Sequence, residues 1–157
     1  MARKKQSRGN CTFCGKEMTK GGLTRHLKTC SAREEANQKA NGRVTALYHL
    51  QIWDKYDPDY WLQLEVRGDA KLADLDRYLR AIWLECCGHL SMFSAGGWGE
   101  ELAMRAKIGV IFPQLAQLTY IYDFGTSSEL AVKMVGVREG KPLSARPIHL
   151  LARNQLP

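Results

Sequence analysis

The chain has 157 residues, of which 45% are hydrophobic, enough for one globular domain of ordinary size and a small additional unit. No apolar run approaches the length of a membrane span, and the opening MARKKQSRGN is basic and polar, unlike a secretory signal. Three of the five cysteines fall in one short motif, which argues against a disulfide framework. We therefore expect a protein of a reducing cytoplasm that makes no membrane contact.

The net charge of +7 is concentrated at the N-terminus. Residues 1–40 hold ten basic and three acidic side chains, whereas residues 41–157 hold thirteen of each. This asymmetry is typical of a polyanion contact. It makes DNA or RNA the candidate partner of residues 1–10, which we expect to form a flexible basic arm, and of the segment after them. A basic segment that is merely solvated is the alternative.

A metal-binding motif follows the arm in residues 11–30, CTFCGKEMTKGGLTRHLKTC. Its spacing is C-x2-C-x11-H-x3-C, in which the first two cysteines suit a knuckle turn that directs two sulfurs to one point. His26 and Cys30 are four residues apart and would share a helix face. The four side chains can complete the tetrahedron of a structural zinc site, with free thiols and a lone histidine as the alternative. The predicted zinc ligands are Cys11, Cys14, His26 and Cys30.

The predicted finger, residues 11–30, would consist of the knuckle and a helix from Leu23 to about Lys28, with too few apolar residues to fold without metal. In the usual register of such fingers on DNA, only Arg25 could contact a base edge well. Three other side chains, Lys20, Thr24 and Lys28, suit phosphates. A finger that only stabilises the structure or docks a protein is the alternative. The predicted nucleic-acid contacts are Arg3, Lys4, Lys5, Arg8, Lys20, Arg25 and Lys28.

The pattern changes after the finger. Residues 31–42 are polar and predict a helical extension or a solvated linker, and residues 43–157 predict an α+β domain. Residues 44–53 and 60–67 alternate apolar and polar side chains, which is typical of two antiparallel strands. Residues 71–85 have the apolar spacing of one main amphipathic helix, which would pack on the sheet.

The remaining elements are shorter. Residues 89–95 predict a strand and residues 100–107 a short helix, followed by a connector to Pro113. The clearest hairpin joins residues 118–124 to residues 129–139, and the last segment is expected to add one more short strand at an edge. The expected fold class is therefore α+β: a small N-terminal zinc finger followed by a mixed or antiparallel sheet packed against one main helix.

Several motifs of the α+β domain resemble those of one known family. They are the helix pattern at Leu72, Asp74, Leu75 and Leu79, the strand residues His89, Leu90 and Phe93, and the turn Tyr122–Gly125. With these motifs, residues 11–153 resemble the plasmid pRiA4b ORF-three-like family, also called the insertion-element passenger TnpR family, some members of which carry an N-terminal finger. The resemblance implies an α+β fold and an origin in a mobile element, but no established activity. Longer members continue into a cysteine-bearing tail where the match ends, so we expect a truncated form.

The sequence leaves three functional hypotheses. We expect a zinc-binding, non-enzymatic adaptor, whose basic finger contacts nucleic acid while the α+β domain binds a second partner. The first alternative is a structural finger in a protein–protein interaction module. The second is an uncharacterised enzyme that uses the region of His89, Cys87 and Asp123, although a turn carboxylate such as Asp123 more commonly caps backbone donors.

Overall fold

One antiparallel sheet forms the framework of the computed structural model, which describes residues 6–84, 90–96, 99–112, 114–123 and 128–154. Its strands are β1 (Arg8–Cys11), β2 (Glu17–Thr19), β3 (Thr45–Asp54), β4 (Trp61–Arg67), β5 (Ser91–Ser94), β6 (Glu101–Leu102), β7 (Gln117–Tyr122), β8 (Ser128–Gly140) and β9 (Ile148–Asn154). Their order across the sheet is β2-β1-β9-β4-β3-β8-β7-β5-β6, and all neighbours are antiparallel. The predicted α+β class is confirmed, in its antiparallel form.

Few helices accompany the sheet. The α-helices are α1 (Lys20–Leu27), α2 (Ser31–Lys39), α3 (Leu72–Leu79) and α4 (Ile108–Ile111), and a π-helical turn spans Arg80–Leu84. None of the described helices combines the length and the apolar character needed to cross a membrane.

The main core lies on one face of the sheet, under α3. Successive side chains of a strand point to opposite faces, so Leu62, Leu64 and Val66 of β4 share this face. All three are fully buried, as are Leu72, Leu75 and Leu79 of α3. The amphipathic helix therefore packs on the sheet as its periodicity predicts. Its α-helical part ends at Leu79, and the π-helical turn continues the predicted helix to Leu84.

The short helix predicted for residues 100–107 is wrong. The segment begins with β6 and continues through a turn, which Ala106 N–H closes by donating to Ala103 O at 3.0 Å, and the short helix α4 lies instead in the predicted connector. The physical reason is an alternation that local helix propensity obscured: Leu102, Met104 and Ala106 pack against the core while the residues between them are exposed. Backbone groups of the segment also bind the start of α3, as Leu72 N–H donates to Ala106 O at 2.9 Å.

The N-terminal residues join the same sheet. β1 begins at Arg8, within the predicted flexible arm, and pairs with β9, the last strand of the chain. Gly9 permits this pairing because a Cβ there would lie 2.1 Å from Arg153 O. β9 is the additional strand expected from the last segment, but the predicted edge position is wrong, because β9 lies between β4 and β1 and is an interior strand.

The other predicted elements are present. β3 and β4 pair antiparallel from Leu47 opposite Arg67 to Trp53 opposite Trp61. β7 and β8 form the predicted hairpin, and the β3–β8 register shifts between His49 and Leu50, opposite Gly136. Of the two alternatives for residues 31–42, the structure has the helical one over the length of α2.

Candidate metal centre

The knuckle is the turn between β1 and β2. Gly15 adopts a φ of +77°, which favours glycine, and its N–H donates to Cys11 O at 2.9 Å. Cys11 N–H donates to Lys16 O at 3.0 Å, which closes the turn from the other side. These two bonds fix the backbone that carries Cys11 and Cys14.

α1 supplies the third ligand. Thr19 caps the helix by accepting a hydrogen bond from Gly22 N–H at 3.2 Å, and Leu23 and Leu27 bury its inner face. His26 lies on the last turn of α1. The predicted end of the helix near Lys28 is confirmed, but the expectation that His26 and Cys30 share a helix face is wrong. α1 ends at Leu27, Thr29 N–H bonds back to His26 O at 3.0 Å, and Cys30 is the N-cap residue of α2.

The structure brings all four predicted ligands together. Their ligand atoms lie within 4.8 Å of one another. Cys11 Sγ is 4.0 Å from Cys30 Sγ, and Cys14 Sγ is 3.2 Å from His26 Nε2. Tetrahedral zinc bound at typical distances separates its donor atoms by about 3.6–3.8 Å. Three thiolates with one imidazole are a usual structural donor set, so the residues present fit a zinc ion.

The ligands differ in their environment. Cys11 and Cys30 are buried, His26 is half-buried and Cys14 is exposed. Burial raises the pKa of the Cys11 thiol, whereas the backbone N–H of Lys16 lowers the pKa of the Cys14 thiol. A metal held here would be enclosed by the protein on one side. All four tetrahedral positions would be taken by side chains, which suits a structural role rather than a catalytic one.

The centre is packed against the sheet. Cys11 and Cys30 belong to a second hydrophobic cluster, on the face opposite α3, together with Trp61 and the last strand; its buried members are Cys11, Leu23, Leu27, Cys30, Trp61, Leu151 and Ala152. Thr12 on the knuckle binds Leu151 O twice, through its N–H at 3.0 Å and its Oγ1 at 2.9 Å. The finger is therefore part of the folded body, held by residues from both ends of the chain.

A buried polar layer separates α1 from β3 and β4. Gln63 Oε1 accepts from Thr24 Oγ1 at 3.1 Å and from His49 Nε2 at 2.7 Å, and Gln63 Nε2 donates to Lys20 O at 2.9 Å. Burial lowers the pKa of His49 to about 4, so the imidazole is neutral in this layer. These bonds give the finger one defined position on the sheet.

An ionic cluster continues this layer toward α2. Glu65 is buried and accepts from Arg33 Nη2 at 2.7 Å and from Arg138 Nε and Nη2, each at 2.9 Å. Burial raises the pKa of Glu65, but its hydrogen bonds and the two guanidinium charges outweigh this and leave the pKa below its ordinary value. Sequence reasoning missed the cluster. Its only signal was the alternating polar residues in the middle of the two strands, His49 and Gln51 of β3 and Gln63 and Glu65 of β4, which is also the pattern of a solvent-facing strand.

A second polar cluster lies at the π-helical turn. Asp76 Oδ1 accepts from Tyr120 OH at 2.6 Å, from Ser91 Oγ at 2.7 Å and from Arg80 Nε at 3.2 Å. Burial and the bond to Asp76 raise the pKa of Tyr120. These bonds attach the π-helical turn to β5 and β7. The sequence pattern placed Asp76 on the polar side of the helix and gave no sign of its partners.

Several predicted phosphate contacts are engaged within the molecule. Arg8 forms an ion pair with Glu17, with Nε 3.1 Å from Oε1. The Lys20 ammonium lies 4.4 Å from the centroid of the Trp53 ring. Thr24 faces the polar layer, as described above, so it does not face outward as a phosphate contact would.

Other cations of the finger face solvent. Arg25, on α1, and Lys28, the C-cap residue after it, are both exposed. The predicted contacts Arg3, Lys4 and Lys5 lie outside the described residues. In the described finger, fewer basic side chains are therefore available to phosphates than the sequence predicted.

The residues of the enzyme hypothesis are only partly described. Cys87 and His89 lie outside the described residues. Asp123 has a φ of +58°, in the left-handed region, and its N–H donates to Leu90 O at 2.8 Å. A common site for the three side chains therefore stays a prediction.

Comparison with known proteins supports the fold alone. No protein-family model matches the chain, and no curated protein matches it significantly. Among solved structures, the chain is similar to a protein of unknown function from Methanosarcina mazei Go1, with a TM-score of 0.56 and 20% sequence identity over 70% of this chain and 69% of that chain. At this identity the likeness extends to the architecture of the α+β sheet, and the chain is assigned to no family.

Proposed function

We propose that this protein is a zinc-binding, non-enzymatic binding protein in which one zinc ion stabilises the finger against the end of the sheet. The observation that carries the proposal is the convergence of four ligand atoms from the knuckle, α1 and the start of α2 to within 4.8 Å of one another. Zinc would neutralise the thiolates and join three short elements that share a small apolar cluster.

Metal analysis tests this proposal directly. Protein purified without added metal is expected to contain one zinc per chain, and the Cys14→Ser variant substantially less. Lys39→Ser, an exposed change on α2 away from the four ligands, is the matched control and should retain full occupancy. Wild-type protein that folds without any stoichiometric metal would refute the proposal.

We further propose that nucleic acid is the partner of the finger, bound through phosphates and without base recognition. The support is the N-terminal excess of positive charge and the exposure of Arg25 and Lys28 on α1. α1 packs on the sheet through Leu23, Thr24 and Leu27, which leaves few side chains for a DNA groove.

Salt dependence is the test of the nucleic-acid proposal. Binding to random duplex and single-stranded DNA should weaken steeply as salt rises, and the Arg25→Gln variant should show a shallower slope of log affinity against log salt, by about one contact. Glu17→Gln removes a negative charge and releases Arg8 from its ion pair, so it should not weaken binding. A slope near zero, or no binding at low salt, would refute nucleic acid as the partner.

A structural finger in a protein-interaction module is the second candidate. It is favoured by the packing of α1 on its own chain, which resembles that of an internal helix more than that of a presented one. Two results together would support this candidate over the first: co-purification of a stoichiometric protein partner, and an affinity for DNA that does not change with salt concentration. Membership of the pRiA4b ORF-three-like family remains a proposal that rests on the sequence motifs at Leu72–Leu79, Phe93 and Tyr122.

A further inference from the structure

A cleft of about 520 Å³ lies where the finger meets the sheet. One wall is the end of α1 and the start of α2, and the other is Glu65 of β4 with the segment of β8 from Gly136 to Arg138. Its volume falls in the range of small-molecule and cofactor sites. Because its walls come from four elements, a ligand in the cleft would contact both the finger and the sheet.

The charges that line the cleft favour an anion. Lys28, Arg33 and Arg138 contribute three positive charges, and Glu34 and Glu65 contribute two negative ones. Glu65 pairs with both guanidinium groups, so these three side chains together retain one positive charge. The cleft therefore keeps a positive excess, with the Lys28 side chain at the exposed end of α1.

The cationic side is held in place before any ligand arrives. Arg33 Nη1 donates to Leu27 O at 2.8 Å, and Arg138 Nη2 donates to Asn37 Oδ1 at 3.2 Å. Gly140 leaves room for the Arg138 guanidinium, since a Cβ there would lie 2.2 Å from Arg138 Nη1. Fixed cations of this kind lose little conformational entropy when an anion binds.

We propose that this cleft binds a phosphate group, with the Lys28 ammonium as its direct contact and the Arg138 guanidinium as the second positive charge. The favoured source is a phosphate of a nucleic-acid strand, because the exposed Arg25 extends the basic surface along α1 from Lys28. For that source the inference rests on the proposed nucleic-acid function. A small compound that carries a free phosphate would use the same chemistry and stands apart from that function.

The test is an NMR titration of the zinc-loaded full chain, in which backbone amide shifts are followed at low salt with inorganic phosphate and, separately, with a single-stranded oligonucleotide. The amides of Lys28, Arg33 and Val137 are expected to shift and saturate with phosphate. Lys28→Gln should raise the fitted Kd about fivefold, as for a strong solvent-exposed ion pair. Lys39→Gln, an exposed cation of α2 outside the cleft, is the matched control and should leave the Kd unchanged.

A second variant tests phosphate binding in the cleft without a change at Lys28. Val137 is 57% exposed and lines the cleft, so Val137→Glu should fold normally and abolish phosphate binding by adding a negative charge at the opening. Shifts that never saturate, or equal Kd values for Lys28→Gln and Lys39→Gln, would overturn the proposal.

The two probes separate this inference from the proposed function. If the oligonucleotide binds but phosphate does not enter the cleft, the cleft proposal fails and nucleic-acid binding stands. If phosphate saturates the cleft and the oligonucleotide does not bind, the cleft is supported with a small phosphate compound as its ligand, and the nucleic-acid function fails. The same amide shifts with both probes support the nucleic-acid backbone as the source.

Discussion

Substitution of Cys14 by serine isolates the contribution of the metal from that of packing. Cys14 is exposed on the knuckle turn, so the variant removes a ligand without opening a cavity. Cys11 and Cys30, by contrast, are buried in the cluster around Trp61, where a substitution would also disturb the core. Any loss of stability in Cys14→Ser that depends on zinc therefore reports metal binding.

The expected magnitude follows from the linkage between binding and folding. A ligand that binds only the folded state stabilises it by RT ln(1 + [L]/Kd), where [L] is the free ligand concentration. If the loss of one of four ligands weakens zinc binding about 100-fold, the free energy of unfolding falls by about 2.7 kcal/mol at equal free zinc. Without zinc, the variant should lie within about 0.5 kcal/mol of the wild type, as expected for an exposed surface change.

Urea denaturation followed by tryptophan fluorescence measures both quantities, once in buffered zinc and once in chelator. Lys39→Ser, an exposed change on α2, should match the wild type under both conditions. An equal loss in zinc and in chelator would mean that Cys14 acts through packing or turn conformation. If the free energy of unfolding of the wild type is the same in zinc and in chelator, the metal does not stabilise the fold.

Three further predictions concern the attachment of the finger to the sheet. Glu65→Gln should lower the free energy of unfolding by about 3–5 kcal/mol, since it leaves two guanidinium groups without their shared carboxylate, while the exposed Glu34→Gln should change it by less than about 0.5 kcal/mol in the same urea assay. His49 has a folded pKa of about 4 against 6.5 for the ordinary group, so only the unfolded state gains a proton between these values. Stability should therefore decrease as pH falls from about 6.5 to 4, and His49→Gln should show a shallower decrease; parallel pH profiles would contradict this. Gly9→Ala should cost about 1–3 kcal/mol because its Cβ would collide with Arg153 O, and a variant as stable as the wild type would show that β1 does not pair with β9 as described.

The sequence predicted the metal centre and the central strands because their signals are local. The spacing of Cys11, Cys14 and His26 already limits how the turn and helix can be arranged, and the alternation in β3 and β4 states which side chains face the core. The helix predicted for residues 100–107, which include Met104, was wrong for a related reason. Its residues have good helix propensity, and its alternation was too short to outweigh that signal without knowledge of the core beside it.

Pairing between distant parts of the chain could not be predicted in this way. No local pattern indicates that Gly9 opposes Asn154, or that Arg33 of α2 lies against Glu65 of β4. For the same reason, His49 and Gln63 have the polarity of a solvent-facing strand although the finger covers them. Within these residues, what each side chain contacts is decided by the tertiary structure and not by the sequence nearby.

The pairing of β1 with β9 also constrains the order of events during synthesis. The knuckle is translated well before the backbone groups that receive it, including Leu151 O of β9. A nascent chain can therefore acquire a metal ion early, but it can seat the finger only after β9 has left the ribosome. Until then, the apolar side of α1 and the edge of β4 can make other contacts. A chaperone would cover these surfaces during this interval.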